Sequence, residues 1–119
     1  MMVKILRVYV GYNVTDGIRV LVDRLWPRGL RRSSSNVEMW LKDIAPSDEL
    51  RKWFSHSPTR WESFRARYKK ELEENEKAVG KLIMILRSND TVTLVYASKD
   101  EQHNNAVVLQ EFMKEKFGL

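Results

Sequence analysis

The chain has 119 residues, no cysteine, and 21 lysine and arginine residues against 16 aspartate and glutamate residues. Its length and its 43% hydrophobic content fit one core, so we expect residues 1–119 to form a single domain. The lack of cysteine excludes disulfides and thiolate metal sites. No apolar run approaches the roughly 20 residues of a bilayer span, and the short, charged N-terminus is unlike a secretory signal. We therefore expect a cytoplasmic location and no membrane association.

Two strands are predicted near the N-terminus. Lys4–Val10 is β-branched and apolar, and the turn-rich segment Gly11–Gly17 connects it to a second strand over Ile18–Leu25. The middle of this second strand is entirely apolar, which is typical of a strand buried on both faces. Pro27 and Gly29 then end regular structure, and Gly29 is suited to a turn with positive φ.

The middle of the chain is predicted to be helical. Val37–Lys42 is a short helix candidate, Ser47 has the position of an N-cap for the next helix, and Ser57 before proline begins another. Asn75 interrupts the pattern and is placed to cap a further helix. Apolar residues at spacings of three and four indicate the buried helix faces: Trp61, Phe64, Tyr68 and Leu72, then Val79, Leu82, Ile83 and Leu86.

The last predicted elements are a strand over Thr91–Ala97 and a helix from about Glu101 to Phe117. The long helical connection between the second and third strands is typical of a parallel crossover. We therefore predict an α/β fold with a small, mainly parallel sheet flanked by helices. The first connection is short for a crossover, so the direction of the first strand stays open. If the second and third strands are parallel, Asp23 and Lys99 lie at the same sheet edge.

Charged residues follow the second strand where it enters a loop. Such strand ends are where α/β proteins build sites. Arg24 and Arg28 have the guanidinium geometry that binds phosphate or carboxylate, or they lock the loop to acids such as Glu38 or Asp43. Both interpretations stay open from the sequence.

Asp23 and Trp26 complete this first segment. Asp23 could act as a general base, orient a ligand or form a salt bridge, and the salt bridge is the commoner role for a carboxylate among arginines. Trp26 could stack on a ligand, but a hydrophobic lid that closes the core is the favoured interpretation.

A second polar segment follows the third strand. Lys99 could bind an anion at the start of the last helix, and Asp100 is expected to cap that helix through the amide of Gln102 or His103. His103 is a candidate general acid or base, or a phosphate ligand, or simply a surface residue. Asn104 and its neighbour are poor helix formers, which suggests that at least one of them is held by hydrogen bonds to the Asp23 loop.

No metal or cofactor motif is present in the sequence. The two histidines, His56 and His103, are far apart and make no metal pattern with the carboxylates. The chain also has no glycine-rich phosphate loop and no dinucleotide fingerprint. A cofactor therefore stays unknown at this level.

Four segments in order resemble the YeaO-like family of uncharacterised bacterial and archaeal proteins. They are Leu21-Val22-Asp23-Arg24-Leu25-Trp26-Pro27-Arg28-Gly29, Trp40-Leu41-Lys42-Asp43-Ile44-Ala45-Pro46-Ser47, Leu50-Arg51-Lys52-Trp53-Phe54 and Tyr96-Ala97-Ser98-Lys99-Asp100-Glu101-Gln102-His103-Asn104-Asn105-Ala106. The resemblance implies an α/β fold and implies no activity. This chain departs from the family pattern in one respect. Larger relatives join the first two strands through a helix, whereas this chain has only the loop after Val10. Some relatives carry a transcription-regulator label, yet no helix-turn-helix pattern is present here.

Three functional hypotheses follow. The first is a pocket for a small anionic ligand at the carboxyl ends of the second and third strands, with Arg24, Arg28 and Lys99 on the anion, Asp23 or His103 handling protons, and Trp26 as a cover. Asp100 and Asn104 are further candidate ligand contacts in this pocket. The second is a basic nucleic-acid-associated module, based on five arginines and one acid between residues 19 and 32 and on the arginines after Ser57. The third is a polar cluster that fixes the last helix and binds nothing. The sequence carries no signal of oligomeric state.

Overall fold

The computed structural model describes residues 2–119, which form four strands and four α-helices. In chain order these are β1 (Met2–Arg7), β2 (Ile18–Leu21), β3 (Met39–Trp40), α1 (Asp48–Phe54), α2 (Trp61–Glu74), α3 (Glu76–Arg87), β4 (Thr91–Tyr96) and α4 (Asn105–Phe117). The strands lie in the order β1-β4-β2-β3, and each neighbouring pair is parallel. The predicted α/β fold is confirmed, and β1 proves to be parallel. No helix in the described part of the chain is long and apolar enough to cross a membrane.

The last strand in sequence occupies the middle of the sheet. β4 pairs with β1 on one side and with β2 on the other, with Ile18 opposite Val92 and Leu21 opposite Val95. From Val92 to Tyr96 the strand is fully buried. This arrangement places the carboxyl ends of β2 and β4 side by side, so Asp23 and Lys99 lie at the same sheet edge, as predicted.

The helix-covered face of the sheet holds the main core. Alternate residues of the central strands, including Val20 and Leu94, point to this face and pack against side chains from all four helices. The buried helical residues of this core are Leu50, Phe54, Phe64, Tyr68, Leu72, Ala78, Val79, Leu82, Leu86, Ala106, Val108, Leu109, Phe112 and Met113. The predicted apolar stripes thus face inward, except that Trp61 and Ile83 are only partly buried.

The loop-covered face carries a smaller cluster and a buried arginine. Val8, the first residue of the connection between β1 and β2, is buried with Leu21 and Val95, and side chains of the loop after β2, among them Trp26 and Leu30, pack against them. Arg19 is 1% exposed, and its guanidinium donates to the carbonyls of Val8 and Val10 at 2.9 Å each. A polar anchor therefore holds the connection across a face where no helix lies.

The predicted helix over residues 37–42 is wrong. Met39–Trp40 forms the edge strand β3 instead, and a 3-10 turn follows over Lys42–Ile44. The Glu38 N–H donates to the Arg19 carbonyl and the Leu41 N–H to the Leu21 carbonyl, each at 2.9 Å. The open edge of β2 thus takes up a segment that is too short to form a helix by itself.

Helix boundaries agree with the sequence where a side-chain cap is present. Ser47 accepts the Leu50 N–H at 3.1 Å, and Asn75 accepts the Ala78 N–H at 3.4 Å, so both predicted caps are confirmed. Ser57 makes no side-chain cap bond, because a 3-10 turn precedes α2. The strands are also shifted or shortened: β1 spans residues 2–7 rather than 4–10, and β2 ends at residue 21 rather than 25.

Candidate functional site

Asp23 lies where four elements of the fold meet. Its Oδ2 accepts the Ala97 N–H at 2.8 Å, and its Oδ1 accepts the Asn105 side-chain amide at 3.0 Å. The same amide nitrogen donates to the Val22 carbonyl at 2.9 Å, and the Trp40 indole N–H donates to the Asp23 carbonyl at 2.7 Å. Asp23 therefore joins β2 and β3 to the end of β4 and the start of α4. The predicted hydrogen bond from this helix start to the Asp23 loop is confirmed, with Asn105 as the donor.

Burial raises the pKa of Asp23 above that of an ordinary aspartate. The Ala97 N–H, the Asn105 amide and the charge of His56 oppose this shift without cancelling it. His56 is thus an electrostatic neighbour of Asp23, a placement that the sequence did not indicate. Ser55 and His56 have left-handed backbones, with φ of 44° and 55°. Non-glycine residues rarely adopt this conformation, and it is the only sign of special local geometry at this histidine.

Arg24 is held by backbone carbonyls. Its Nε donates to the Pro46 carbonyl and its Nη2 to the Ala45 carbonyl, both at 3.2 Å. Within residues 2–119 it forms no ion pair with either of the acids that the sequence suggested, Glu38 and Asp43. The side chain fixes the loop after β2 to the segment that leads into α1.

Arg28 is exposed, and the turn that contains it is held by a side chain from the connection between β1 and β2. Gly29 has φ of 75°, as predicted for this turn, and the Tyr9 hydroxyl donates to the Arg28 carbonyl at 2.7 Å. The Arg7 guanidinium lies 4.8 Å from the Tyr9 ring centroid and donates through Nε to the Ser98 carbonyl at 3.0 Å. A short chain of contacts therefore links the loop after β2 to the loop after β4.

Trp26 packs against the small cluster on the loop-covered face. Its indole N–H donates to the Leu30 carbonyl at 2.6 Å, and its ring meets Trp40 edge-on with centroids 5.5 Å apart. The Arg32 guanidinium lies over both rings, 4.7 Å from Trp26 and 5.1 Å from Trp40. These contacts support the lid interpretation of Trp26.

The polar segment after β4 forms a turn before the last helix. Asp100 accepts the backbone N–H groups of Gln102 and His103 at 2.9 Å each, as predicted. The helix nevertheless begins at residue 105, and its N-cap is Asn104, which accepts the Val107 N–H at 3.1 Å. The predicted start at about residue 101 is therefore wrong, because the side chain of Asp100 closes a separate turn first.

Asp100 and His103 form a pair beside an aromatic ring. The His103 Nδ1 lies 2.9 Å from the Asp100 carboxylate, and the imidazole meets Trp61 edge-on at 5.1 Å. The N–H of Gln102 and the contacts with His103 lower the pKa of Asp100, although partial burial opposes them. Because Nδ1 faces the carboxylate, Nε2 is the ring nitrogen left for a ligand. Lys99 is exposed nearby, with no carboxylate of residues 2–119 within 4.0 Å.

Two clefts lie outside this cluster. One, of about 310 Å³, is lined by Trp40, Leu41, Lys42, Asp43, Ile44, Asn75, Lys77, Ala78 and Lys81. The other, of about 380 Å³, is lined by Tyr12, Val14, Thr15, Gly17, Ile18, Glu38, Asn89, Asp90 and Thr91. Neither is lined by Asp23, Arg28, Lys99 or His103. Over residues 2–119, no group of three histidine, aspartate or glutamate side chains is placed to hold a metal ion.

The fold and this cluster define a small parallel α/β protein with charged loops at the carboxyl edge of its sheet. A family model described as "Inactive DUF488-N3 subclade" matches residues 2–118, and the chain belongs to this family. It is 38% identical over 108 residues to the uncharacterized protein YeaO of Escherichia coli, covering 91% of this chain and 93% of that protein. An uncharacterized protein of Mycobacterium tuberculosis is 40% identical over 111 residues, covering 93% and 92%. No solved structure matches the chain significantly.

Proposed function

We propose that the carboxyl edge of the sheet binds a phosphate- or carboxylate-bearing ligand. Arg28 and Lys99 supply the positive charge, and His103 offers its Nε2 as a further hydrogen-bonding group. Trp26 borders the site as part of its apolar wall. The observation that carries the proposal is that two exposed cations without carboxylate partners extend from loops which the parallel sheet holds side by side.

The charge pattern of the loop after β2 supports an anionic partner. Between Asp23 and Glu38 the sequence has four arginines and no acid. One of them, Arg24, is held by carbonyls, which leaves Arg28, Arg31 and Arg32 exposed around the turn. Guanidinium groups on a loop of one charge raise the local concentration of anions and bind them bidentately.

The proposed role is binding rather than proton transfer by Asp23. Both oxygens of its carboxylate accept hydrogen bonds from the protein's own backbone and side chains. Its contribution is to hold the loop after β2 against α4, as the structural hypothesis expects, while the cations around it face solvent. The word "Inactive" in the family description favours the same assignment.

Titration with inorganic phosphate and pyrophosphate, followed by backbone amide NMR shifts, tests this proposal. We expect shifts centred on residues 28–29 and 99–103, and at least a tenfold loss of affinity in the double variant Arg28→Ala/Lys99→Ala. The matched control is Lys52→Ala/Lys114→Ala, which removes two exposed lysines from α1 and α4. Shifts elsewhere, or equal losses in both double variants, would show that the carboxyl edge is not an anion site.

A further inference from the structure

Aromatic rings and cations alternate along one side of the carboxyl edge. The Lys42 ammonium lies 5.5 Å from the Trp40 ring centroid, and the Arg32 guanidinium lies 5.1 Å from the same centroid. The same guanidinium lies 4.7 Å from the Trp26 centroid. Two cations and two tryptophans therefore form a continuous row over the ends of β2 and β3.

The row continues onto the connection after β1. The Trp26 indole is bound to the Leu30 carbonyl, at the end of the turn that carries Arg28. Tyr9 holds that turn through its hydroxyl, and its ring is 41% exposed. We call the set Lys42, Trp40, Arg32, Trp26, Arg28 and Tyr9 the cation–aromatic ladder.

The cations of the ladder are available to a partner. Within residues 2–119, no carboxylate lies within 4.0 Å of Lys42, Arg32 or Arg28. By contrast, Arg65 and Lys69 on α2 are paired with glutamates of α2 and α4. The basic surface is thus narrower than the sequence predicted. The charges of Arg65 and Lys69 on α2 are balanced by glutamates, and Arg19 is buried.

We propose that the anionic ligand of this edge is single-stranded nucleic acid, bound along the cation–aromatic ladder. This inference rests on the anion binding proposed above and names the ligand class. Exposed guanidinium groups bind the phosphates, and bases stack on the tryptophan and tyrosine rings. Arg32 exchanges its ring contacts for a phosphate as a base moves over Trp26. A duplex is disfavoured because its bases are already stacked and the ladder belongs to loops rather than to a helix that could enter a groove.

The Lys42 end of the ladder opens into a basic cleft. The cleft of about 310 Å³ that contains Trp40 is also lined by Lys77 and Lys81, which with Lys42 outnumber the single acid of its lining, Asp43. These two lysines are four residues apart on α3, and no carboxylate of residues 2–119 lies within 4.0 Å of either. Like charges at this spacing repel each other and destabilise a helix. A phosphate in the cleft would offset that repulsion, so the strand is expected to extend into it.

Fluorescence anisotropy of a labelled mixed-sequence 12-nucleotide DNA strand, at several salt concentrations, tests the ladder. We expect the single strand to bind at least tenfold more tightly than a duplex of equal length. Arg32→Ala/Lys42→Ala should weaken binding at least tenfold. It should also reduce the slope of log affinity against log salt by about 1.4, the value for two lost phosphate contacts on a single strand.

The matched control is Arg60→Ala/Arg67→Ala, because these two arginines also lie over a tryptophan, Trp53, at 5.2 and 4.3 Å. Equal loss in both double variants, or no binding of the strand at low salt, would overturn the ladder. If phosphate still binds through Arg28 and Lys99 in that case, the proposed function stands and only the ligand class is wrong. A loss of affinity for the strand that is confined to Arg32→Ala/Lys42→Ala supports the ladder, and this holds for either outcome of the phosphate titration.

Discussion

At the scale of single residues, the carboxylate of Asp23 shows how one side chain can hold several elements of the fold together. Its two oxygens bind donors from two different segments, Ala97 and Asn105. Arg28 lies five residues further along the same loop, so its position depends on this anchor. Removing the anchor is therefore expected to affect stability first and ligand binding second.

Asp23→Asn should lower the free energy of unfolding by about 1–3 kcal/mol at neutral pH, the cost of leaving a buried donor without its acceptor. The new amide can accept only one of the two donors, because its nitrogen would face another N–H. Urea unfolding measures the difference. Asn105→Ala should cost less in the Asp23→Asn background than in the wild type, because the two residues share a hydrogen bond. Purely additive losses would contradict the proposed anchor.

The pH dependence of this difference has a definite sign. Burial raises the pKa of Asp23 in the folded state, so the stability that its protonated form contributes is complete below the unfolded pKa. That contribution is lost as pH rises through the folded pKa. The gap in unfolding free energy between wild type and Asp23→Asn should therefore widen as pH falls from neutral, and a gap that narrows would contradict the raised pKa.

Single residues also show what the sequence could and could not indicate about the candidate site. The polar segments after β2 and β4 were recognisable because charge followed apolar strands. Arg19 could not be distinguished from the exposed arginines, because its burial depends on the carbonyls of a distant connection. Nothing in the sequence around His56 indicated its position near Asp23. A left-handed backbone is expected from glycine, and here it occurs at a histidine.

At the scale of elements, the approach of the β1–β2 connection to β4 depends on Gly17. Its φ is 64°, and a Cβ built at this position would lie 2.0 Å from the Thr91 carbonyl oxygen. This oxygen belongs to the backbone at the start of β4, so it cannot rotate away. A glycine is therefore required where β2 enters the sheet beside β4.

Gly17→Ala should destabilise the protein by about 2–6 kcal/mol, combining about 1–3 kcal/mol for a backbone conformation that residues other than glycine rarely adopt with about 1–3 kcal/mol for overpacking. Thermal unfolding measures the effect. Gly11→Ala is the matched control, since a Cβ there meets no atom within 4 Å and the residue has no positive φ. Comparable losses in the two variants would show that the close approach to Thr91 is not the cause.

Element types were predictable where the pattern was long and the caps were local. α2, α3 and β4 follow their hydrophobic periodicity, and Ser47 and Asn75 cap as expected. β3 was missed because two residues form a strand only by pairing with β2, which no local pattern records. Its position determines where Trp40 lies, so the ladder could not be inferred from the sequence.

At the scale of the whole molecule, the two faces of the sheet differ in how they are covered. Four helices cover one face with the main core, whereas the other has a thin layer of irregular chain over three buried side chains. Local stability follows the number of buried apolar contacts and paired backbone groups. The exposed part of the connection between β1 and β2, residues 9–15, should therefore open without unfolding of the sheet beneath it.

Native-state amide hydrogen exchange should resolve this difference. The amides of β4, the central strand that is hydrogen-bonded on both sides, should exchange only through global unfolding. The amides from Val10 to Thr15 should exchange through local opening with a much smaller free energy, because every residue from Tyr9 to Thr15 is exposed and none of their side chains is buried in the core. Bound single-stranded DNA should slow exchange around Tyr9, since that ring belongs to the ladder. Equal protection of the connection and β4 in the free protein would show that the loop layer is as stable as the helical one, and the two faces would then unfold as one unit.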